Sequence, residues 1–315
     1  MMRVDSRGRP EYVMIAAMAV LWGSVGIFVR WVDLAGREQI IVFMRSILSL
    51  VFLVGVIYAG KREVQLRPGK HPVLLLASGA ILTFHWVLFF KAINTLSLGD
   101  AVFITYLAPV FVALLAPFTL EEKLERATVI ALTLALTGMV LISLTGREAG
   151  ENAFNSVGLV YALLAAITYA VLVIILKKLR SDTPTLTINI YQTAVIVVLL
   201  LPFTAFRDLS IKPRGWISLL VLGVLLTGAT GIVYVYSVRK VKAQHVGILT
   251  YLEPVSAMVF GFIFLAEKPG WQDLLGGLLI VAAGVAVLWR GMEGVSAPEV
   301  KGRVLPPSRA GHGDN

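Results

Sequence analysis

Ten apolar stretches of membrane length run through this chain, at 11–32, 39–59, 73–95, 101–119, 127–145, 156–176, 186–206, 215–236, 245–265 and 272–290. Crossing a bilayer as a helix takes about 20 mostly apolar residues. Hydrocarbon offers no partner to backbone N–H and C=O groups, so each stretch must bond internally as a helix. Only 15% of the residues are charged and 57% are hydrophobic. A soluble domain carries roughly 25% charged residues, so burial in water does not account for this balance. The expected fold class is therefore all-α integral membrane, with ten transmembrane helices. The first stretch is too long for a signal-peptide core and reads as a retained helix.

One phrase occurs twice. Thr105-Tyr106-Leu107-Ala108-Pro109-Val110 returns as Thr250-Tyr251-Leu252-Glu253-Pro254-Val255, an offset of 145 residues. The same offset brings Glu122 onto Glu267 and Lys123 onto Lys268, and brings Phe90 and Lys91 onto Val235 and Tyr236. Trp22-Gly23 meets Thr168-Tyr169 at 146, and Arg45 meets Gln192 at 147. The chain thus divides into a 1–10 N-terminal segment, a first five-helix repeat over 11–145 and a second over 156–290. A 291–315 tail of Gly, Pro, Ser and charge is expected to be disordered. Five spans per half is an odd number, so the second repeat enters the membrane upside down relative to the first.

Lys and Arg fix the expected orientation. With the N-terminus inside, 19 of the 28 fall in inner segments, 6 in outer loops and 3 (Arg30, Arg45, Lys91) in or at the ends of spans. Such a bias puts both termini in the cytoplasm and makes the protein multi-pass in the cell membrane. The net charge of +9 is a topology signal, since no basic stripe with interleaved aromatics marks a nucleic-acid partner.

Enzyme chemistry finds no foothold. HExxH, GxSxG and GxxxxGK[ST] are all absent, and Asp100 stands alone where an intramembrane protease needs two aspartates. There is no cysteine, and the four histidines (His71, His85, His245, His312) are scattered. Neither a metal nor a cofactor is expected.

The residues Trp22-Gly23-Ser24, Arg45, Ala108-Pro109-Val110 running on to Glu121-Glu122-Lys123-Leu124, and Leu252-Glu253-Pro254-Val255 running on to Glu267-Lys268-Pro269 carry a resemblance. The Gly276 to Gly284 stretch fits it too. Over about 11–290 the chain resembles the EamA-type members of the drug/metabolite transporter superfamily. The resemblance implies a secondary transporter working by alternating access around a cavity formed by helices one, three, four, six, eight and nine. It implies export of amino acids or related amphipathic solutes, with exchange of phosphorylated or nucleotide-linked solutes as the alternative. A membrane scaffold or receptor is the reading from another class. The partners are then a small-molecule substrate and the lipid bilayer, with protons as one coupling ion that Glu253 would allow; the oligomeric state stays open.

Individual residues sharpen the cavity. Pro109 and Pro254 sit mid-span, where proline removes a backbone hydrogen bond and kinks the helix. Each follows a tyrosine by three positions, so Tyr106 and Tyr251 share a face with the kinks. Glu253 is the most costly side chain here, since a mid-membrane charge costs about 2.5–3.5 kcal/mol on insertion scales. It would meet an ammonium group, carry a proton, or pair with Arg45 and the backbone freed by Pro254. Arg45 needs a carboxylate, helix carbonyls or water; anion recognition and structural pairing both fit it. Trp22, His85, Trp86, Phe89, Tyr169 and Tyr234 are read as cavity lining, against the simpler reading of packing aromatics. Arg45, Lys91, Pro109, Gln192 and Pro254 are read as structural or gating. Glu121, Glu122 and Glu125 suit the N-terminus of the fifth helix. Glycines at 23, 26, 223, 228, 231, 276, 277 and 284 suit close helix packing.

Overall fold

A computed structural model describes residues 9–34, 37–60, 69–96, 98–145, 156–179, 183–204, 210–266 and 268–293. Glu267, the 1–8 segment and most of the expected tail lie outside these residues. The chain crosses and recrosses one bundle as α1 (Pro10–Val32), α2 (Glu38–Ala59), α3 (Pro72–Ile93), α4 (Ala101–Leu120), α5 (Arg126–Thr145), α6 (Ser156–Lys178), α7 (Thr185–Phe203), α8 (Pro213–Val238), α9 (Ala243–Leu265) and α10 (Trp271–Glu293). Among the described residues nine of these are long and apolar enough to span a membrane, and α5 contributes a shorter apolar stretch, Arg126–Ile142. Helix α10 runs three residues past 290, into what was expected to be tail.

Contacts between helix ends prove the alternation. The start of α1 meets the end of α8 through Glu11 and Lys240, and the α4–α5 turn meets the start of α9 through Glu122 and Ala243. We call this the terminal end. At the opposite, far end, the α1–α2 turn meets the α7–α8 turn through Asp33 and Lys212, and a Cβ on Gly158 at the start of α6 would press on Leu96 just after α3.

Three spans are interrupted, and each interruption has a local cause. In α4, Val110 N–H bonds Leu107 O at 2.9 Å, one residue short of the regular α-helical partner, which leaves Tyr106 O free. The proline ring at 109 cannot donate to Thr105 O and would crowd it, so the helix stops and restarts with Pro109 in its first turn. The break therefore lies at Tyr106-Leu107, upstream of the proline itself. Helix α9 repeats this at Tyr251, whose N–H bonds Ile248 O at 3.2 Å. Helix α1 breaks at Gly23-Ser24, where the Ser24 hydroxyl turns back onto Leu21 O at 2.6 Å. Helix α8 stays continuous but widens into a π-helix over Val221–Ala229, with Thr227 Oγ1 donating to Leu222 O at 2.6 Å.

Helices meet most closely where glycine removes the side chain. A Cβ on Gly138 would lie 2.4 Å from Gly276 O, and one on Gly276 would lie 2.4 Å from Gly138 O, so α5 and α10 cross backbone to backbone. A Cβ on Gly23 would lie 2.1 Å from Ser256 Oγ and 2.7 Å from Glu253 O, which seats the α1 break on the second part of α9. Gly223 likewise brings the widened α8 onto α2, where a Cβ would lie 2.8 Å from Arg45 O.

Overpacking at such a crossing costs about 1–3 kcal/mol or more. Gly138→Leu is expected to lower the thermal midpoint in detergent by several degrees. Gly26→Leu, with nothing within 4 Å of the added Cβ, is expected to leave it unchanged. Equal shifts in the two melting curves would contradict this packing.

Candidate functional site

A chain of aromatic rings crosses the middle of the bundle and passes from one half to the other. Trp22 of α1 lies 5.0 Å, centroid to centroid, from Tyr234 of α8 and donates its indole N–H to Thr230 Oγ1 at 3.1 Å. The hydroxyls of Tyr234 and Tyr169, the latter on α6, hydrogen-bond at 2.9 Å. Tyr169 lies 5.3 Å from His85 of α3, and His85 lies 5.5 Å from Trp86. The Arg45 guanidinium of α2 closes the series, 4.2 Å above the Trp86 ring. Phe89 stacks parallel to His85 at 6.3 Å. The His85 ring is oriented by Ala165 O, 3.0 Å from Nδ1, so its hydrogen bond is to backbone and not to another titratable side chain.

Glu253 lies inside this belt. Its carboxylate accepts from the Tyr106 hydroxyl and is within electrostatic reach of Arg45, Tyr169 and Tyr234. It is half-buried, as are Trp22, Trp86, Phe89, Tyr106 and Tyr169. An intramembrane carboxylate that keeps some accessible surface, with aromatics of both halves within its electrostatic reach, marks the candidate site.

The repeated phrase meets itself here. Tyr251 donates its hydroxyl to the Tyr106 carbonyl at 2.6 Å, and the two rings lie 6.1 Å apart. That carbonyl is the one freed by the α4 break. Tyr251 is fully buried, a strut between the halves, while Tyr106 is half-buried. A Cβ on Gly247 would lie 2.8 Å from the Pro109 Cβ, so α4 and α9 are in direct contact just below the two breaks.

The other singled-out residues fall elsewhere. Pro254 is buried three positions beyond the α9 break. Gln192 of α7 is buried, its amide nitrogen without a partner, and its Cα would be 3.1 Å from a Cβ on Gly79. Lys91 is exposed at the far end of α3 with its ammonium 5.3 Å from the Tyr161 ring, away from the belt.

At the terminal end a second polar cluster bridges the seam. Among the described residues its three ion pairs, Glu11–Lys240, Glu122–Lys177 and Glu125–Lys242, all put the acid on the first half and the base on the second. Glu122 also accepts from Ala243 N–H at 2.8 Å, so it caps α9 across the seam and not α5 as the sequence suggested. His245 joins Tyr12 (2.9 Å) and Thr128 (3.4 Å) beneath these pairs. Lys242 holds the Glu125 carboxyl below the usual carboxylate range by hydrogen bonding, and Tyr236, then Glu11, hold the Lys240 ammonium above its ordinary value. Both groups therefore stay charged at neutral pH. No motif signalled this cluster, because its partners lie 55 to 233 residues apart in sequence.

A fold of interrupted spans closing around a polar seam defines a membrane transporter. The chain belongs to the EamA-like transporter family, whose profile matches it twice, at residues 9–144 and 156–289. The double match is the sequence repeat seen from outside. An uncharacterized transporter, YxxF, of Bacillus subtilis is 31% identical over 87% of both chains. The pseudopaline exporter CntI of Pseudomonas aeruginosa is 27% identical over 78% of this chain and 84% of its own. Human solute carrier family 35 member G1 is 26% identical over 89% and 78%. A solved crystal structure superposes with a TM-score of 0.77 at 19% identity, covering 88% of this chain and 96% of that one, which shows the shared fold.

Removing a partner from a buried acceptor costs about 1–3 kcal/mol. Tyr251→Phe is expected to destabilise the protein by that amount in detergent unfolding. Tyr106→Phe, which removes the donor to Glu253, is expected to alter solute affinity more than unfolding. The reverse pattern would exchange the two roles.

Proposed function

We propose that this chain is a secondary transporter that exports small organic metabolites, amino acids or related amphipathic solutes, across the cytoplasmic membrane by alternating access. The observation that carries the reading is the placement of Glu253, Arg45 and the aromatic belt on the seam between the halves, with three ion pairs bridging one end of that seam. A solute held there touches both halves, so its binding bears on how they tilt.

The terminal-end pairs are the inner gate of this cycle. The excess of Lys and Arg at that end supports a cytoplasmic position. An exposed ion pair contributes about 0–1 kcal/mol, so Glu11–Lys240 and Glu125–Lys242 together form a latch weak enough to open at each turnover. Lys177–Glu122 is more enclosed and anchors it; losing one partner of such a pair costs about 3–5 kcal/mol. The relative named as a pseudopaline exporter supports outward movement of a metabolite. The rival reading, exchange of phosphorylated solutes, would draw several bases to the cavity; Lys91 at the edge favours the first reading.

Purified protein in liposomes, offered labelled amino acids and other small metabolites, is expected to move at least one class of them. Flux absent for every small solute, from folded protein, would favour a scaffold or receptor. Lys242→Glu is expected to loosen the inner gate and Glu125→Lys in the same chain to restore it. The natural absence of cysteine lets single engineered cysteines near Gly247 report opening by their labelling rate. Identical labelling in all three proteins would remove the latch from the mechanism. Proton coupling rests on Glu253: Glu253→Gln is expected to abolish the pH dependence of flux, and an unchanged profile would assign coupling elsewhere.

A further inference from the structure

The guanidinium of Arg45 is 7% exposed and lies eight residues into a 22-residue span. Its Nε is buried with no hydrogen-bond partner. Among the described residues no carbonyl, hydroxyl or carboxylate accepts from any of its nitrogens, and no acid comes within ion-pair distance. The guanidinium lies on the Trp86 face, while α8 packs against the Arg45 backbone at Gly223. A guanidinium has five donors and stays charged at any physiological pH. Leaving such a group buried without acceptors is costly, and a π face compensates the charge without taking up the N–H groups. Of its donors only the Nε–H is buried and unpaired; the terminal nitrogens keep access to water or a solute.

Glu253 acts electrostatically on Arg45 from across the seam, beyond ion-pair contact. The Glu253 carboxylate already has a donor in Tyr106. So the cavity presents an unfilled donor fork at one side and an oriented carboxylate at the other, with Trp86 between Arg45 and His85. Collapse of the two into a salt bridge would leave no room for a solute. Their separation by the fold is what makes them available.

We propose that Arg45 is the specificity residue of this cavity, receiving a carboxylate of the solute through its guanidinium fork, while Glu253 faces the solute's ammonium group. This rests on the transporter reading above, and it adds which ends of the solute are read and by what. A planar carboxylate matches the fork bidentately, whereas a lysine at this position would supply charge without that geometry. The second repeat carries the neutral Gln192 in the matching position, so the fork belongs to one half only.

The test uses the full-length protein in detergent and then in liposomes. Each common α-amino acid is compared with its own amide and its decarboxylated amine, by thermal stabilisation and by flux. Acids are expected to stabilise the wild-type protein and the matched amides and amines to do so at least tenfold more weakly. Arg45→Gln is expected to remove that preference while keeping a melting temperature close to wild type or above it, because an unsatisfied charge has gone. Arg45→Lys keeps the charge and guards against a folding defect in the first variant; it is expected to retain the preference with at least tenfold weaker affinity. No stabilisation by any acid, or an undiminished preference in Arg45→Gln, overturns the proposal. Equal flux of acids, amides and amines overturns it and leaves the transporter standing. Acid-selective stabilisation that Arg45→Gln abolishes, without flux of any solute, supports Arg45 as the acid receptor and sinks the transporter reading instead.

Discussion

The helix break ahead of a mid-span proline frees a carbonyl that lipid cannot satisfy, and the two central breaks of this protein meet over one such group. The α4 break frees Tyr106 O, and Tyr251, from the equivalent break in α9, donates to it at 2.6 Å. The cost of an orphaned backbone group in hydrocarbon, several kcal/mol, holds the two breaks together. Once they are joined, other irregularities have a place. The α1 break seats against α9 through Gly23, and the widened α8 seats against α2 through Gly223. Irregular backbone at membrane depth collects on the seam, because only there can it be covered by protein.

Polar side chains follow the same logic. Glu253 and Arg45 would be prohibitive facing lipid; on the seam they face each other's half and a ring of aromatics. The terminal end of the seam takes ion pairs because it is close to water, where exposed pairs are cheap to make and to break. At the far end Asp33 and Lys212 join the halves instead, at positions that are not the repeat partners of these pairs. At the offset of 145, Thr95 and Ser97 stand where the second half has Lys240 and Lys242, and Gly270 stands where the first half has Glu125. Two halves that share a backbone fold have thus acquired different chemistry at the two ends of one seam.

Much of this is visible in one dimension. Lengths and polarity of the ten stretches gave each helix to within about three residues, since spanning depends on local composition alone. The repeated Tyr-to-Pro phrase gave the location of the breaks to within three residues, because the proline's effect on the preceding turn is local. The expense of Glu253 and Arg45 was also legible, from depth alone. What they touch was not. Arg45 was expected to find a carboxylate, helix carbonyls or water, and the Trp86 face beneath it was not foreseen; Tyr251, expected to wall the cavity, braces Tyr106 from within the core.

The sequence by itself determined that this protein is a ten-helix, two-repeat membrane protein with costly charges at its centre, because each of those properties follows from residues near one another in the chain. Only the tertiary structure decided which aromatics join into a belt, which acid caps which helix across the seam, and which charges pair between the halves. Those outcomes depend on side chains brought together from 40 to more than 200 positions apart, by helix crossings whose angles and registers are set by where glycine lets two backbones touch.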